Sequence, residues 1–351
     1  MTKPLQFLTL MLTGAFLSWA ITSCSSPKAS KNLTTNKEVK LTLVSYAVTQ
    51  SAYEKIIPKF AKQWQEKTGQ VVTFDQSYGG SGSQTRAVID GLEADVVALA
   101  LASDVHKLEK AGLIQPGWQK EAPKEAIVTK SVVAFVTRKD GAKVEKWADL
   151  AAEKLKVITA NPKTSGGARW NFLGLWGSVT QAGGSPQEAE NFVTKVYQNV
   201  PVLPKDAREA SDVFYKQKQG DVLLNYENEV ILAKQKGEIQ PYTVPIDYNI
   251  SIDAPVAVVD ANVDKHGTKE VAEAFLQFLF TPEAQREFAQ VGFRPVDETM
   301  AQEFSSQYPA VKNLLSVQSF GGWNKVQSEF FDEGAMFDKI LAKVSKSPSG
   351  K

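Results

Sequence analysis

From Val39 onward, short apolar stretches of strand length alternate with stretches whose apolar residues recur every three or four positions. Strands are expected over 41–44, 71–74, 95–101, 132–137, 155–159, 222–224, 239–244 and 254–259, and the run 95–101 is apolar enough to be buried on both faces. Helices are expected over 84–92, 168–180, 186–199, 209–219 and 269–280. Another follows Ser51. There Ser51-Ala52-Tyr53-Glu54 matches a capping box, Tyr53, Ile56, Ile57, Phe60 and Trp64 share one face, and Gly69 supplies a stop. The remaining chain, to Phe337, closes the molecule. Alternating strands and helices predict an α/β fold of mainly parallel sheets with helices on both faces.

The chain has 351 residues, 43% of them hydrophobic, and a net charge of +1. That length and apolar fraction suit two modest domains. No basic stripe stands out, so nucleic acid is not an expected partner. At the N-terminus, Lys3 precedes an apolar run over 5–21, and Thr22 and Ser23 precede Cys24, as in a secretory signal. Ile21-Thr22-Ser23-Cys24 resembles the bacterial lipobox, which implies a signal peptide over 1–23 and an acylated Cys24 anchoring the mature protein to a membrane. Residues 24–38 read as a flexible polar tether. Cys24 is the sole cysteine, so the folded part has no disulfide and no cysteine metal site. The tail over 345–351 is polar.

Three stretches of small residues open helices. They are Ser77-Tyr78-Gly79-Gly80-Ser81-Gly82-Ser83, Asn161-Pro162-Lys163-Thr164-Ser165-Gly166-Gly167-Ala168-Arg169, and Pro204-Lys205-Asp206-Ala207-Arg208. A helix start carries unpaired amide donors and the positive end of the macrodipole. Glycine lets a ligand approach the backbone, so such ends suit anions. A single Gly/Ser loop is usually only a turn with a cap, but two matched strand-to-helix loops are harder to dismiss. Neither has the ending of a P-loop or the spacing of a dinucleotide fingerprint. Arg86, Arg169 and Arg208 each fall near the first turn of the expected helices, where a cation opposes the dipole by roughly 0.3–1 kcal/mol. They suit a bracing role behind the loops.

The nine residues Asn161 to Arg169 resemble the signature of bacterial sulfate- and thiosulfate-binding receptors, which serve ABC importers. The segment Asp75-Gln76-Ser77-Tyr78-Gly79-Gly80-Ser81-Gly82-Ser83-Gln84 is similar to that family's other characteristic loop. Leu92-Glu93-Ala94-Asp95-Val96-Val97, Tyr226-Glu227-Asn228-Glu229 and Phe320-Gly321-Gly322-Trp323 also look like family segments. The resemblance implies a two-lobed, type II periplasmic-binding-protein fold with the ligand cleft between lobes. Lobe I would comprise 39–126 and 252–318, lobe II 127–251, and a C-terminal helical segment and tail 319–351. It further implies that sulfate is held by backbone amides of Ser81, Ser165, Gly166, Gly167 and Ala207 and by the Ser165 hydroxyl. Tyr226 stands where the family commonly has a donating Trp. Gly80, Ser83, Arg86, Arg169 and Arg208 would form the surrounding shell. Ala47 stands where such receptors often carry an Asp. The implied protein is an extracytoplasmic monomer that hands its ligand to ABC permease subunits, with no cofactor.

An enzyme fits less well. His106 and His266 lie in no metal-binding spacing and read as surface residues. Ser165 lacks the hydrolase elbow, and Glu227 and Glu229 suit a structural role better than acid–base chemistry.

Overall fold

The computed structural model describes residues 38–346; the signal segment, Cys24, most of the tether and the last five residues lie outside them. No helix among the described residues is long and apolar enough to cross a membrane. Three sheets organise the fold. The first has strand order β2-β1-β3-β10-β4, from β1 (Glu38–Tyr46), β2 (Val71–Gly79), β3 (Val96–Ala98), β4 (Ile127–Ser131) and β10 (Ile252–Val258). The second has order β6-β7-β5-β8, from β5 (Val133–Thr137), β6 (Val157–Ile158), β7 (Val222–Tyr226) and β8 (Tyr242–Thr243). A parallel pair, β9 (Tyr248–Ile250) and β11 (Asn313–Leu315), completes the set.

The helices are α1 (Gln50–Thr68), α2 (Ser81–Ile89), α3 (Ala102–Lys110), α4 (Gly166–Thr180), α5 (Pro186–Gln198), α6 (Ala207–Tyr215) and α7 (Glu227–Gln235). They continue with α8 (Asp260–His266), α9 (Lys269–Phe278), α10 (Pro282–Gln290), α11 (Glu298–Glu303), α12 (Trp323–Val326) and α13 (Met336–Lys346). Together these elements build the two-lobed α/β architecture, one large sheet to each lobe.

Both large sheets are mixed. In the first, β1 pairs in parallel with β2 and β3, whereas β10 runs against β3 and β4. In the second, only β6 and β7 are parallel. The antiparallel strands belong to the stretches where the chain leaves one sheet and returns to it. β4 pairs in the first sheet and β5 in the second, so the chain passes from one sheet to the other at Val132. The return runs through β9 into β10. Asn249 ties the two crossings together: its amide donates to Val133 O (2.9 Å) and its carbonyl accepts from Val133 N (3.0 Å).

Several elements begin where the pattern did not place them. α1 starts at Gln50, so Ser51 lies inside the first turn and forms no capping box. A 3₁₀ turn, Ala47–Thr49, runs directly into this helix, and the Thr49 hydroxyl is engaged by Ser45 and by Tyr46 O (each 2.7 Å). Glu54 instead accepts from Gln50. The apolar face is as expected, with Tyr53, Ile56, Ile57, Phe60 and Trp64 buried, and Gly69 closes the helix at φ +74°. Phe60 and Phe74 meet Phe275 of α9 with ring centres 5.1 and 4.8 Å apart. The strand expected over 239–244 shrinks to the two residues of β8 at a sheet edge, leaving Ile239 exposed.

Both histidines lie at the surface beside carboxylates, His106 half-buried and His266 exposed. His106 Nδ1 lies 3.0 Å from Glu109, and His266 bridges Asp95 and Glu93 at 2.9 Å each. Glu93 also pairs with Lys265. Asp95 is buried at the start of β3 and accepts in addition from Thr42 N and the Thr268 hydroxyl. Hydrogen bonds that His266 donates to Glu93 and Asp95 raise its pKa above the usual value. A raised folded-state pKa gives stability that is fully present below the unfolded value of about 6.5 and is lost as pH rises through the folded value. The difference in thermal midpoint between the native protein and His266→Gln should therefore be largest in mild acid and shrink on the alkaline side. A difference that grows with pH would contradict this assignment.

Candidate functional site

The starts of α2, α4 and α6 meet at one small cavity. It is lined by Gly79, Gly80 and Ser81, by Ser165, Gly166 and Gly167, and by Asp206 and Ala207. Tyr46, Ala47, Val48, Ala100 and Tyr226 complete the wall. Each of the three helices begins two or three residues before the expected point, so the small residues are not merely a preceding loop. They are the first helical residues themselves, where amides have no partner within the helix.

The caps decide which amides stay free. Ser165 caps α4, its hydroxyl accepting from Ala168 N (3.3 Å). Asp206 caps α6, its carboxylate accepting from Glu209 N (2.8 Å). Both side chains serve the third amide of their helix and leave the first for a ligand. α2 is capped by Gly80, where no side chain would fit: a Cβ there would lie 2.5 Å from Thr164 O and 3.0 Å from Lys205 O. Instead, Thr164 O accepts from Gly82 N (3.0 Å) and Ser83 N (3.4 Å), joining the first loop to the second. The amides of Ser81, Gly166, Gly167 and Ala207 are thus left without an acceptor in the described chain. Ser165 differs from expectation. Its amide donates to Asn161 O (2.8 Å), because the 161–165 turn closes on itself, so its hydroxyl proton is the donor it has to offer.

Tyr226 precedes α7 and lies across the start of α4. A Cβ on Gly167 would sit 2.4 Å from the tyrosine ring, so this position has room only for glycine. The Tyr226 hydroxyl is buried without a hydrogen-bond partner. Burial, reinforced by nearby Tyr46 and Glu229, holds its pKa well above the usual value, so it remains a proton donor. The hydroxyls of Tyr53 and Tyr197 are also unpartnered, but neither residue lines this cavity.

No lysine or arginine lines the cavity. Arg169 is the fourth residue of α4 and binds Pro162 O (2.9 Å), Asp104 (3.5 Å) and Gln327 (3.2 Å). Arg208, second in α6, grips the Glu229 carboxylate with Nε and Nη2 (2.8–3.2 Å) and reaches Val48 O (3.4 Å). Arg86 lies in the last turn of α2, not the first, because that helix begins at Ser81; there its charge complements the dipole. It reaches Lys163 O at 3.4 Å. Ser83 is exposed and lies outside the cavity wall. Glu227 pairs with Arg294 (2.7 and 3.0 Å).

Asp104, Tyr46, Val48, Ala100 and Asp206 went unread in the sequence. Asp206 carried a usable signal, an Asp directly before a helix. Ala100 and Tyr46 sit at or beyond strand ends, where ligands of open α/β sheets collect. Asp104 had no signal. It is fully buried on α3 and accepts from the Ser81 hydroxyl (2.7 Å) and from Lys107 (2.8 Å). Burial pushes its pKa up, but Arg169, Lys107 and Ser81 outweigh this and hold it below the ordinary carboxylate value.

Since the Tyr226 hydroxyl makes no bond in the ligand-free protein, Tyr226→Phe should leave stability unchanged or raise it by about 1 kcal/mol, as measured by urea unfolding. A clear loss of stability would reveal a partner for that hydroxyl.

The chain is similar to proteins of known family. The model of the bacterial extracellular solute-binding proteins matches residues 41–294. A sulfate-binding protein of Synechocystis sp. is 63% identical, over 97% of this chain and 96% of that relative. A thiosulfate-binding protein of Pseudomonas aeruginosa is 36% identical, over 85% of this chain and 91% of that relative. Among solved structures, the sulfate-binding protein SubI from Mycobacterium tuberculosis H37Rv superposes with a TM-score of 0.77 at 35% identity, covering 84% of this chain and 100% of that one. The chain therefore belongs to the bacterial extracellular solute-binding proteins, within the group of sulfate- and thiosulfate-binding receptors.

Proposed function

We propose that this protein captures sulfate outside the cytoplasm and delivers it to an ABC-type importer. The observation that carries the reading is the lining of the cavity: four amides without acceptors, the Tyr226 hydroxyl and the Ser165 hydroxyl proton, with no basic side chain. Sulfate at neutral pH offers only acceptors and matches such a wall. Phosphate keeps at least one proton near pH 7 and needs an acceptor facing it. Ala47 offers only a methyl group, and the carboxylate in the wall, Asp206, is engaged as the cap of α6, accepting from Glu209 N. An unmatched buried polar group costs about 1–3 kcal/mol, roughly tenfold to a hundredfold in affinity. The names of the relatives support binding over turnover.

Ligand capture on this reading is a closure of two lobes. Ser81 follows a strand of the first sheet, whereas Ser165, Gly166, Gly167, Ala207 and Tyr226 surround the second. An anion between them stabilises the closed form by its difference in affinity for the two states. We place lobe I at 39–131 and 252–318, with lobe II between and the helical segment 319–346 beyond. The protein acts as a monomer, tethered to the membrane through acylated Cys24, and its closed form is what the permease recognises.

Titration calorimetry with sulfate, thiosulfate and phosphate tests the assignment. Sulfate should bind tightly and phosphate at least tenfold more weakly, and Tyr226→Phe should weaken sulfate by about tenfold or more, as expected for a hydrogen bond to a charged group. Equal binding of phosphate would overturn the donor-only argument, and a preference for thiosulfate would move the ligand within the same family.

A further inference from the structure

The family model ends at residue 294, yet the loop that carries Ser165 is held from beyond that point. Lys163 Nζ lies 2.7 and 2.8 Å from the two carboxylate oxygens of Asp338 on α13 and 3.5 Å from Phe331 O. Asp338 also accepts from Gly334 N (2.8 Å). One helical turn on, Arg169 contacts Gln327 and lies over the Phe331 ring, 5.3 Å from its centre. α13 is fixed in turn by the buried Phe337 and Ile340, with Phe337 5.4 Å from Tyr197 of α5.

The 161–165 loop is where the three helix starts are joined. Thr164 O accepts from the first loop, and the Thr164 hydroxyl donates to Lys205 O (2.6 Å) in the third. Asn161 N donates to Pro204 O (2.8 Å), and Lys163 O accepts from Arg86. A half-exposed ion pair ordinarily contributes little, because ordering two long side chains offsets the attraction. Here each partner has a second anchor, Phe331 O for Lys163 and Gly334 N for Asp338, so the geometry is largely set before the charges meet. Binding sites built from fixed dipoles depend on placement to within about 0.5 Å, which such supporting contacts supply.

We propose that Asp338 is a positioning residue for the anion site, acting through Lys163 to fix the 161–165 loop and the Gly166 and Gly167 amides that follow it. The proposal rests on the sulfate-receptor reading above. It makes the C-terminal segment part of the binding apparatus, although none of its residues lines the cavity.

Sulfate affinity and dissociation rate are to be measured on the full chain and on Asp338→Asn, Asp338→Glu, Lys163→Met and the Lys163→Met/Asp338→Asn double variant, each with its unfolding midpoint. Asp338→Asn and Lys163→Met should each weaken sulfate by about two- to fivefold, mainly through faster dissociation, with the midpoint nearly unchanged. The double variant should be no weaker than either single one, and Asp338→Glu should recover most of the affinity. Native affinity in Asp338→Asn, additive losses in the double variant, or an affinity loss that only follows a falling midpoint would each overturn the proposal. Failure of the native chain to bind sulfate would instead overturn the receptor reading, and this inference with it.

Discussion

A buried amide that finds no acceptor destabilises a protein by about 1–3 kcal/mol, and this fold gathers four of them around one cavity. Everything near the cavity follows from keeping those donors both unpaired and fixed. The caps Ser165 and Asp206 satisfy the third amide of their helices and stop there. Gly80 excludes a capping side chain altogether. Thr164 O absorbs the Gly82 and Ser83 amides, so only Ser81 is left to face the ligand from α2. The unmet bonds are a reservoir that an anion of the right shape can fill.

Charge is handled one layer back. Arg169 and Arg208 are each committed to a buried carboxylate, Asp104 and Glu229, and to backbone carbonyls. Removing one member of such a buried pair would leave the other uncompensated and is strongly destabilising. The arginines therefore brace the helix starts. Asn249 does the comparable mechanical task at the crossings, holding the outgoing and returning strands against each other.

How much of this was legible depended on the length scale of each signal. The long amphipathic face of α1 and the small-residue stretches before α2, α4 and α6 were plain. The starts of those helices were misplaced because Ser and Gly read as loop residues, and only tertiary contacts draw them into the first turn. That error carried Arg86 to the wrong end of its helix. The bond from the Ser165 amide was hidden for a related reason: a turn closing on Asn161 O cannot be read from residue types. The three-residue strands β9 and β11 are too short for any alternation to show, whereas β6 and β8 were expected but shrink to two residues each. Asp104 and Asp338 were invisible, since an acidic residue on a helix ordinarily points to solvent.

The chemical nature of the cavity's donors has a consequence for pH dependence. Peptide amides do not ionise, and the Tyr226 hydroxyl is held protonated by burial. A receptor that drew its ligand with histidine or lysine would gain and lose grip with the acidity of its surroundings. On the sulfate-receptor reading, the donors that would grip the ligand here do not change with the acidity of the medium.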